Sequence, residues 1–439
     1  MDDLFVRNRA RRTTERVSVG AAGEPNGPVL GGHHDVSANG RVVVFASDAS
    51  NVVEGDANGS ADIFARDLAS GTTQLISVGT AGIVADALNL SPRVSGDGRF
   101  VVFQSLGRSE LLEPQPPGSS LVPGDTNGFF DVFVRDRVAG TTERVSVSSS
   151  GAQGDAGSFA ATISDDGRVV AWESPASNLV AGDTNGLRDV FVRDRQTGTT
   201  ERVTVGIGAA ESNGATVFAP DLSADGRFVA FESSASNLVV GDTNGVEDVF
   251  VRDRRMGTTA RVTVGANGAQ ANAMSRSVPS ISADGRFVAF MSEASNLVPG
   301  DGNRALDAFF YDRLRKRTIL VSSTTRGRSL AVPSYEPRVS GDGRNIAFST
   351  RAGEFVSGTD DGTTDVFVRP TGCRVPNVRG RTLTVARALL RQAACETGAI
   401  RRSPSARVKR ERVIAQRPAA GAILRPGEKV SLSVSGGRG

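Results

Sequence analysis

Residues 182–205 read GDTNGLRDVFVRDRQTGTTERVTV, and residues 241–264 read GDTNGVEDVFVRDRRMGTTARVTV. Each period also contains a second phrase, Ser-x-Asp-Gly-Arg or its Asn variant, which leads into a run of apolar residues. This phrase occurs six times, with its arginine at positions 41, 99, 168, 227, 286 and 344. The resulting spacings are 58, 69, 59, 59 and 58 residues. Self-similarity at a period of this length indicates a repeat fold.

Each period predicts four short strands. The first leads into the Ser-x-Asp-Gly turn, whose glycine tolerates the positive φ of a tight hairpin. The second and third strands, such as RFVAF (227–231) and DVFVR (248–252), are apolar on both faces, so both faces must be covered. Antiparallel sheets stacked face to face satisfy this requirement, and we expect a mainly β fold arranged as a β-propeller. A parallel β-helix is the alternative, but its coils are shorter and do not need Asp-Gly hairpins.

The repeats resemble the WD-like repeats of TolB-type propellers, whose signature is Ser-Pro/x-Asp-Gly-Arg-x-Ile/Val-Ala-Phe before an aromatic-centred third strand. The resemblance covers residues 1–370 and implies a six-bladed propeller of four-stranded blades that serves as a binding platform. The last period stops at Pro370 without a fourth strand, so we expect residues 12–20, RTTERVSVG, to complete the last blade. A further third-strand sequence, DLFVR at 3–7, leaves seven blades as the alternative.

Charge is divided unevenly along the chain, which has 51 Lys+Arg and 48 Asp+Glu. Residues 373–439 contain 15 basic and 3 acidic residues, a net charge of +12. This leaves 36 basic and 45 acidic residues, a net charge of −9, for residues 1–372. Only the tail is basic, which argues against nucleic-acid binding as a property of the whole chain.

The tail, residues 371–439, reads as a second domain. A helix is predicted to open at Arg381 or Thr382, because apolar residues recur at three- and four-residue spacing at positions 383, 386, 389, 390 and 393. Strands are predicted at Arg412–Gln416 and at KVSLSV, residues 429–434. The tail therefore combines one helix with a small sheet.

The tail resembles a PASTA domain, the wall-sensing module of penicillin-binding proteins and Ser/Thr kinases. The resemblance rests on Val-Pro-Asn-Val-x-Gly, the Ala-rich helix, Val-Ile-x-Gln-x-Pro-Ala-x-Gly and Gly-x-Lys-Val-x-Leu-x-Val. It implies recognition of peptidoglycan fragments or partner domains. Some PASTA-like tails carry cysteines at the places of Cys373 and Cys395, so the resemblance also implies a disulfide and an oxidising compartment. Two buried thiols are the alternative.

A basic cluster in the tail is the candidate ligand-binding surface. Long-range attraction would favour an anionic wall polymer. Nucleic acid is the alternative ligand, although the acidic residues 1–372 would repel it. A further alternative is that the cluster is a solvated surface without a ligand. The cluster consists of Arg401, Arg402, Arg407, Lys409, Arg410 and Arg412.

The loop Gly-Asp-Thr-Asn-Gly-x-x-Asp attracts attention as a calcium site, because Asp183, Asn185 and Asp189 all carry side-chain oxygens. Compared with the calcium loops of integrin-type propellers, however, the loop lacks the first ligand, and Ala181 stands in its place. We therefore expect Asp and Asn to cap a tight turn, with calcium as the alternative.

Two departures from the repeat are further candidates. His33 and His34 are adjacent, and they could bind a metal or sense pH as a pair. The alternative is that they are an ordinary substitution in a loop. The insertion LGRSELLEPQPPGSSL at residues 106–121 is either a partner contact or a tolerated loop.

Enzyme chemistry finds little support in the sequence. There is no Gly-x-Ser-x-Gly elbow and no metal cluster with catalytic spacing, so we assign no catalytic residue and expect no cofactor. The alternative is a hydrolase that acts on wall or extracellular polymer through two carboxylates. One Trp and two Tyr are a poor supply of stacking surfaces for sugars.

The main prediction is an extracytoplasmic, non-enzymatic binding protein. Its propeller engages protein partners, and its tail targets peptidoglycan or an anionic wall polymer. No signal peptide is visible at the N-terminus, and no apolar run approaches the ~20 residues of a membrane-spanning helix.

Overall fold

The computed structural model describes residues 2–21, 23–56, 58–80, 82, 84–85, 87–106, 121–276, 278–323, 329–351, 362–393 and 395–437. Most of the insertion at 106–121 lies outside the described residues. The chain forms two compact units. The first consists of Met1–Val264 and Gln270–Gly285, and the second of Gly265–Ala269 and Arg286–Gly439.

The first unit is built from antiparallel sheets that follow one another in chain order. The first sheet has two strands, β1 (Phe5–Asn8) and β2 (Thr13–Arg16). Four four-stranded sheets of the described residues follow. The first of them contains β3 (Val29–Val36), β4 (Val42–Ser47), β5 (Asp62–Asp67) and β6 (Thr72–Leu75), and the second contains β7 (Asn89–Val94), β8 (Phe100–Leu106), β9 (Phe130–Asp136) and β10 (Thr141–Arg144). The third contains β11 (Phe159–Ile163), β12 (Val169–Ser174), β13 (Asp189–Asp194) and β14 (Thr199–Arg202). The fourth contains β15 (Asp221–Leu222), β16 (Phe228–Ser233), β17 (Asp248–Asp253) and β18 (Thr258–Arg261). Strand β19 (Ser280–Ile281) ends the unit, and a 3-10 turn spans Ile207–Ala209.

The two middle strands of each four-stranded sheet in the first unit are largely buried on both faces, as their apolar runs require. All six residues of β12 are buried, and Trp172 stacks on Phe191 of β13 with ring centroids 6.1 Å apart. Trp172 belongs to a core cluster that also contains Val102 and Val134 of the preceding sheet. Consecutive sheets therefore pack face to face, the arrangement that fits the blades of a propeller.

One ion pair recurs at the turn of each complete repeat. In the third repeat the guanidinium of Arg168 donates to both carboxylate oxygens of Asp194, the last residue of β13, at 2.6–3.0 Å. The Ser164 hydroxyl donates to Asp166 inside the same turn at 2.6 Å. The recurring Ser-x-Asp/Asn-Gly-Arg phrase thus fixes a hairpin and ties it to the third strand.

The second unit contains the last repeats and the tail. Its antiparallel strands β20 (Phe287–Ser292), β21 (Asp307–Asp312) and β22 (Arg317–Leu320) precede the three-stranded sheet of β23 (Ser334–Val339), β24 (Asn345–Thr350) and β25 (Asp365–Pro370). The tail contributes α1 (Leu383–Gln392), β26 (Glu396–Ser403), β27 (Val413–Arg417) and β28 (Lys429–Ser435). A 3-10 turn spans Ala266–Gly268.

The expected completion of the last blade by residues 12–20 stays a prediction, because residues 12–20 and the last blade belong to different units. Strand β2 pairs with β1, from Phe5 opposite Arg16 to Asn8 opposite Thr13, and the described sheet of β23–β25 has three strands. The third-strand sequence at 3–7 lies directly before β2 in the chain. Closing a short hairpin costs less chain entropy than pairing with a segment some 350 residues away, so the local partner is favoured.

Candidate functional site

The tail folds around a small core with one helix on a mixed sheet. Strand β28 lies in the middle, parallel to β26 and antiparallel to β27. Helix α1 begins after Thr382, whose hydroxyl accepts a hydrogen bond from the Val385 amide at 3.4 Å, and it buries Ala386 and Leu390. The predicted helix and the predicted last two strands are confirmed, within a residue or two at their ends, whereas β26 was not predicted.

Cys373 and Cys395 are joined by a disulfide, with Cα atoms 5.1 Å apart. The bond links the segment that enters the tail to the segment that follows α1. Both cysteines are buried in the same core as Val378 and Leu390. The disulfide therefore closes the apolar centre of the domain.

The basic cluster follows the end of β26 and the loop that leads to β27, and its members differ in their surroundings. Arg402 is paired with Glu411 at 2.9 Å, and Arg412 donates to the carbonyl of Gly380 at 2.7 Å. The other four, Arg401, Arg407, Lys409 and Arg410, are exposed. They make no ion pair with a carboxylate in the part of the chain that the structure describes. This exposed subset is the surface on which a polyanion can bind.

The last repeat holds the tail through an arginine that is released from its usual partner. Pro370 stands where the other repeats have the aspartate that pairs with the turn arginine. Arg344, the turn arginine of this repeat, instead donates from Nε to the carbonyl of Ile423 at 3.0 Å and approaches Glu428 at 3.5 Å. In the last repeat, groups of the tail thus contact the turn arginine at the place of the aspartate that pairs with it in the other repeats.

Further contacts support the same seam between the last repeats and the tail. Arg286 donates to the carbonyl of Pro426 at 2.9 Å while keeping its own aspartate, Asp312, at 2.7 Å. Arg425 donates to the carbonyl of Asp342, and its guanidinium lies 5.6 Å from the ring centroid of Phe287. A cavity of about 300 Å³ remains beside these contacts. The contacts fix the tail on the last repeats.

Two of the calcium candidates Asp183, Asn185 and Asp189 contact a guanidinium. The Nη1 atom of Arg202 lies 3.0 Å from Asp183, 3.7 Å from Asp189 and 3.0 Å from Glu211. Asn185 donates to Asp189 at 3.0 Å and caps the turn. Burial and the neighbouring Asp189 raise the pKa of Asp183 to about 6, and Arg202 opposes this shift. The positive charge in this loop is supplied by the chain itself.

The same arrangement recurs in the neighbouring repeats. Arg144 contacts Asp125 at 3.0 Å and Asp131 at 3.4 Å, and Arg261 contacts its two aspartates in the same way. In the first and fifth repeats the position of this arginine, 13 residues after the second aspartate, is occupied by Leu75 and Leu320. These two loops keep their aspartates but lack the guanidinium.

Two buried glutamates were missed by the sequence reasoning. Glu173 accepts a hydrogen bond from Arg188 at 3.1 Å, and burial raises its pKa to about 7. Glu232 is 0% exposed, neither carboxylate oxygen has a hydrogen-bond partner among the described residues, and burial raises its pKa to about 8. The available signal was a departure from the repeat, since the equivalent positions hold Ala46, Gln104, Met291 and Ser349.

The histidine pair lies on strand β3. Nδ1 of His33 accepts a hydrogen bond from the Ser91 amide at 3.1 Å, and burial lowers the pKa of His33. In the described part of the chain, no group of three or more His, Cys, Asp or Glu side chains is placed to hold a metal ion. None of the described helices has the length and apolar character needed to cross a bilayer.

Comparison with known proteins gives one family match and several distant structural likenesses. The PASTA domain model matches residues 374–436, so this part of the chain is a PASTA domain. No curated protein sequence matches the chain.

The solved structures that resemble the chain include TolB from Acinetobacter baumannii, putative TolB from Agrobacterium tumefaciens, and an oligogalacturonate lyase in complex with manganese. The two TolB structures are each 15% identical, with TM-scores of 0.40 and 0.42, and the lyase is 11% identical with a TM-score of 0.47. These matches cover 72%, 84% and 83% of this chain, which spans 58%, 97% and 82% of the three proteins. At TM-scores below 0.5 they do not separate a binding protein from an enzyme.

Proposed function

From the PASTA domain at residues 374–436, we propose that the chain is a non-enzymatic, extracytoplasmic binding protein. Its tail, residues 371–439, targets peptidoglycan or another anionic wall polymer. Residues 1–370 form a six-bladed propeller that engages protein partners. The disulfide between Cys373 and Cys395 supports an oxidising compartment outside the cytoplasm.

The observation that carries the wall-binding proposal is the uncompensated charge on the PASTA domain. Arg401, Arg407 and Lys409 are exposed and lack carboxylate partners among the described residues, whereas Arg402 is neutralised by Glu411. Cations held on a small folded domain attract a polyanion over about a Debye length, roughly 10 Å at 0.1 M salt. Binding that depends on these residues must therefore weaken as salt rises.

The test is sedimentation with purified peptidoglycan that retains its anionic polymers. The triple variant Arg401→Gln, Arg407→Gln, Lys409→Gln is expected to bind at least about tenfold more weakly than the wild type at low salt. The matched control is Arg402→Gln, which removes an arginine that already has a partner and is expected to bind within about twofold of the wild type. Equal pelleting of the triple variant and the wild type would show that this surface is not the targeting element.

A hydrolase is the second candidate, favoured by Glu173 and Glu232. Two buried carboxyl groups with raised pKa values, on consecutive repeats, are the kind of groups that can act as general acids. The assay is release of soluble fragments from peptidoglycan by the full-length protein, with Glu173→Gln and Glu232→Gln as variants. Release that disappears in both variants would replace the binding proposal; absence of release from the wild type supports it.

A further inference from the structure

The loops between the second and third strands carry two aspartates that need a positive charge. In three of them an arginine side chain provides it. Arg202 places its Nη1 atom between Asp183 and Asp189, and the corresponding atoms of Arg144 and Arg261 lie 2.9–3.4 Å from their aspartates. The cation position is therefore defined by three independent copies within one chain.

The first repeat retains the two carboxylates and lacks the arginine. Asp62 is 0% exposed and Asp56 is 7% exposed, and their carboxyl groups are in hydrogen-bonding contact. Leu75, at the position of the arginine, packs against the apolar cluster that contains Phe45 and Phe64. Its side chain therefore brings no charge to the loop.

One oxygen at this position has no partner. Oδ1 of Asp56 is buried and makes no hydrogen bond with any described residue. The equivalent atom, Oδ1 of Asp183, contacts the guanidinium of Arg202 at 3.0 Å in the third repeat. The unpartnered oxygen of Asp56 is thus equivalent to the oxygen of Asp183 that faces the guanidinium. We call the three loops that contain an arginine, those of Arg144, Arg202 and Arg261, the sister loops.

Two carboxylates in contact in a buried site cannot both remain ionised without a counter-charge. Either they share a proton or a cation lies between them. A divalent cation at the position of the guanidinium would neutralise both groups together.

The donor atoms available are oxygens. Asp56 offers Oδ1 and Asp62 offers Oδ2, which also accepts from Asn58 at 2.7 Å. That asparagine bond does not exclude a cation, because the equivalent bond coexists with the arginine in the third repeat. In the second repeat the carbonyl of Gly124 accepts from the arginine at 3.2 Å, so repeat equivalence adds the carbonyl of Gly55.

Carboxylate and carbonyl oxygens without nitrogen or sulfur suit calcium, whose flexible shell tolerates water as the remaining ligands. Magnesium requires stricter octahedral geometry, and zinc favours nitrogen and sulfur. Val84 stands where the sister loops provide a further side-chain oxygen, from Gln153 or Glu211. Water must supply that position, which places the affinity in the range of about 10⁻⁴–10⁻³ M.

We propose that the loop of Asp56 and Asp62 binds a calcium ion at the position that a guanidinium occupies in three sister loops of the same chain.

The test is isothermal titration of the EDTA-dialysed full-length protein with calcium chloride up to about 10 mM. Leu75→Arg recreates the sister-loop arrangement and is expected to bind one calcium equivalent fewer than the wild type. Asp56→Asn removes one ligand charge and is expected to lose the same equivalent. The matched control is Asp183→Asn, which alters a loop already filled by Arg202 and is expected to bind as many equivalents as the wild type.

Calcium should also raise the thermal unfolding midpoint of the wild type and of Asp183→Asn more than that of Leu75→Arg. This readout applies to any variant that folds, and Leu75→Arg has three natural precedents for folding. The proposal is overturned if the wild type binds no calcium over this range, which would mean that the carboxyl groups share a proton. It is also overturned if Leu75→Arg and Asp56→Asn bind as many equivalents as the wild type, or if Asp183→Asn loses as much as they do.

Discussion

Replacement of Glu232 by Gln should remove one defined contribution to the pH dependence of stability. The carboxyl group is fully buried in β16, and neither of its oxygens has a hydrogen-bond partner among the described residues. Burial, reinforced by Glu247, raises its pKa from the ordinary 4.5 to about 8. Glutamine has nearly the same shape and no charge, so the substitution removes the titration without removing volume.

The sign follows from proton binding. Between pH 4.5 and about 8 the folded state holds the Glu232 proton more strongly than the unfolded state does. The stability linked to this proton is complete below the unfolded pKa and is lost as the pH rises through the folded pKa. Each pH unit inside this window costs the wild type ~1.36 kcal/mol, so two units, from about pH 5.5 to 7.5, cost about 2.7 kcal/mol.

Urea unfolding is the assay, and the chain contains its own reporter. Trp172 is the single tryptophan, and it is fully buried in the neighbouring sheet, so its fluorescence follows the loss of packing in the first unit. The difference in unfolding free energy between Glu232→Gln and the wild type should grow in favour of the variant by about 2.7 kcal/mol over that pH range. Glu54→Gln, an exposed change, is the control and should leave the profile unchanged.

Parallel profiles of the wild type and Glu232→Gln, within about 0.5 kcal/mol at every pH, would refute the reasoning. They would show that Glu232 reaches water or a counter-charge in the folded state. A variant that is less stable than the wild type at every pH by a constant amount would lead to the same conclusion.

Two further predictions concern the tail. Arg344→Ala should speed limited proteolysis at residues 371–373 about fivefold, because it removes contacts worth roughly 1 kcal/mol that hold the tail. The control is Arg41→Ala, which lies far from the junction in the sequence and should leave the cleavage rate unchanged. Equal cleavage rates for both variants would contradict the role given to Arg344. Cys395→Ser should lower the unfolding free energy of the tail by about 3 kcal/mol, because the bond to Cys373 closes a loop with a sequence separation of 22. Unfolding midpoints measured with and without dithiothreitol should then differ for the wild type and coincide for Cys395→Ser; a wild type insensitive to reductant would count against a stabilising bond.

The strands of the repeats could be predicted because each is specified locally and several times over. The run DVFVR and the Ser-x-Asp-Gly-Arg turn determine both the strand and its partner through contacts within one repeat, such as that of Arg168 with Asp194. The pairing of β2 with β1 could not be predicted in the same way. Two third-strand sequences, at 3–7 and at Asp365–Pro370, compete for it, and the repeat pattern does not contain the entropy of chain closure that favours the nearer one.

The candidate sites also differ in whether a local stretch of sequence specifies them. The PASTA domain is a continuous motif, and it was predicted from its sequence and matched at residues 374–436. The guanidinium between Asp183 and Asp189 was missed because Arg202 reads as an ordinary strand residue until the sheet places it beside the loop. Glu232 was missed for the opposite reason, since a charged residue at the end of a strand normally predicts exposure.

Pro370 has a consequence for how the tail can be moved or removed. In every complete repeat the turn arginine is satisfied by an aspartate of the same sheet, so such a repeat can be cut from its neighbours without leaving that arginine unpaired. The last repeat has transferred this requirement to the tail through Arg344 and the carbonyl of Ile423. A chain shortened at residue 372 would lose a domain and also leave Arg344 with the carboxylate of Asp342, in its own turn, at 3.3 Å as its remaining partner. Pro370→Asp is the compensating change that such a shortened chain should carry. Conversely, a tail grafted onto another repeat would have no arginine to receive it until that repeat's aspartate was replaced.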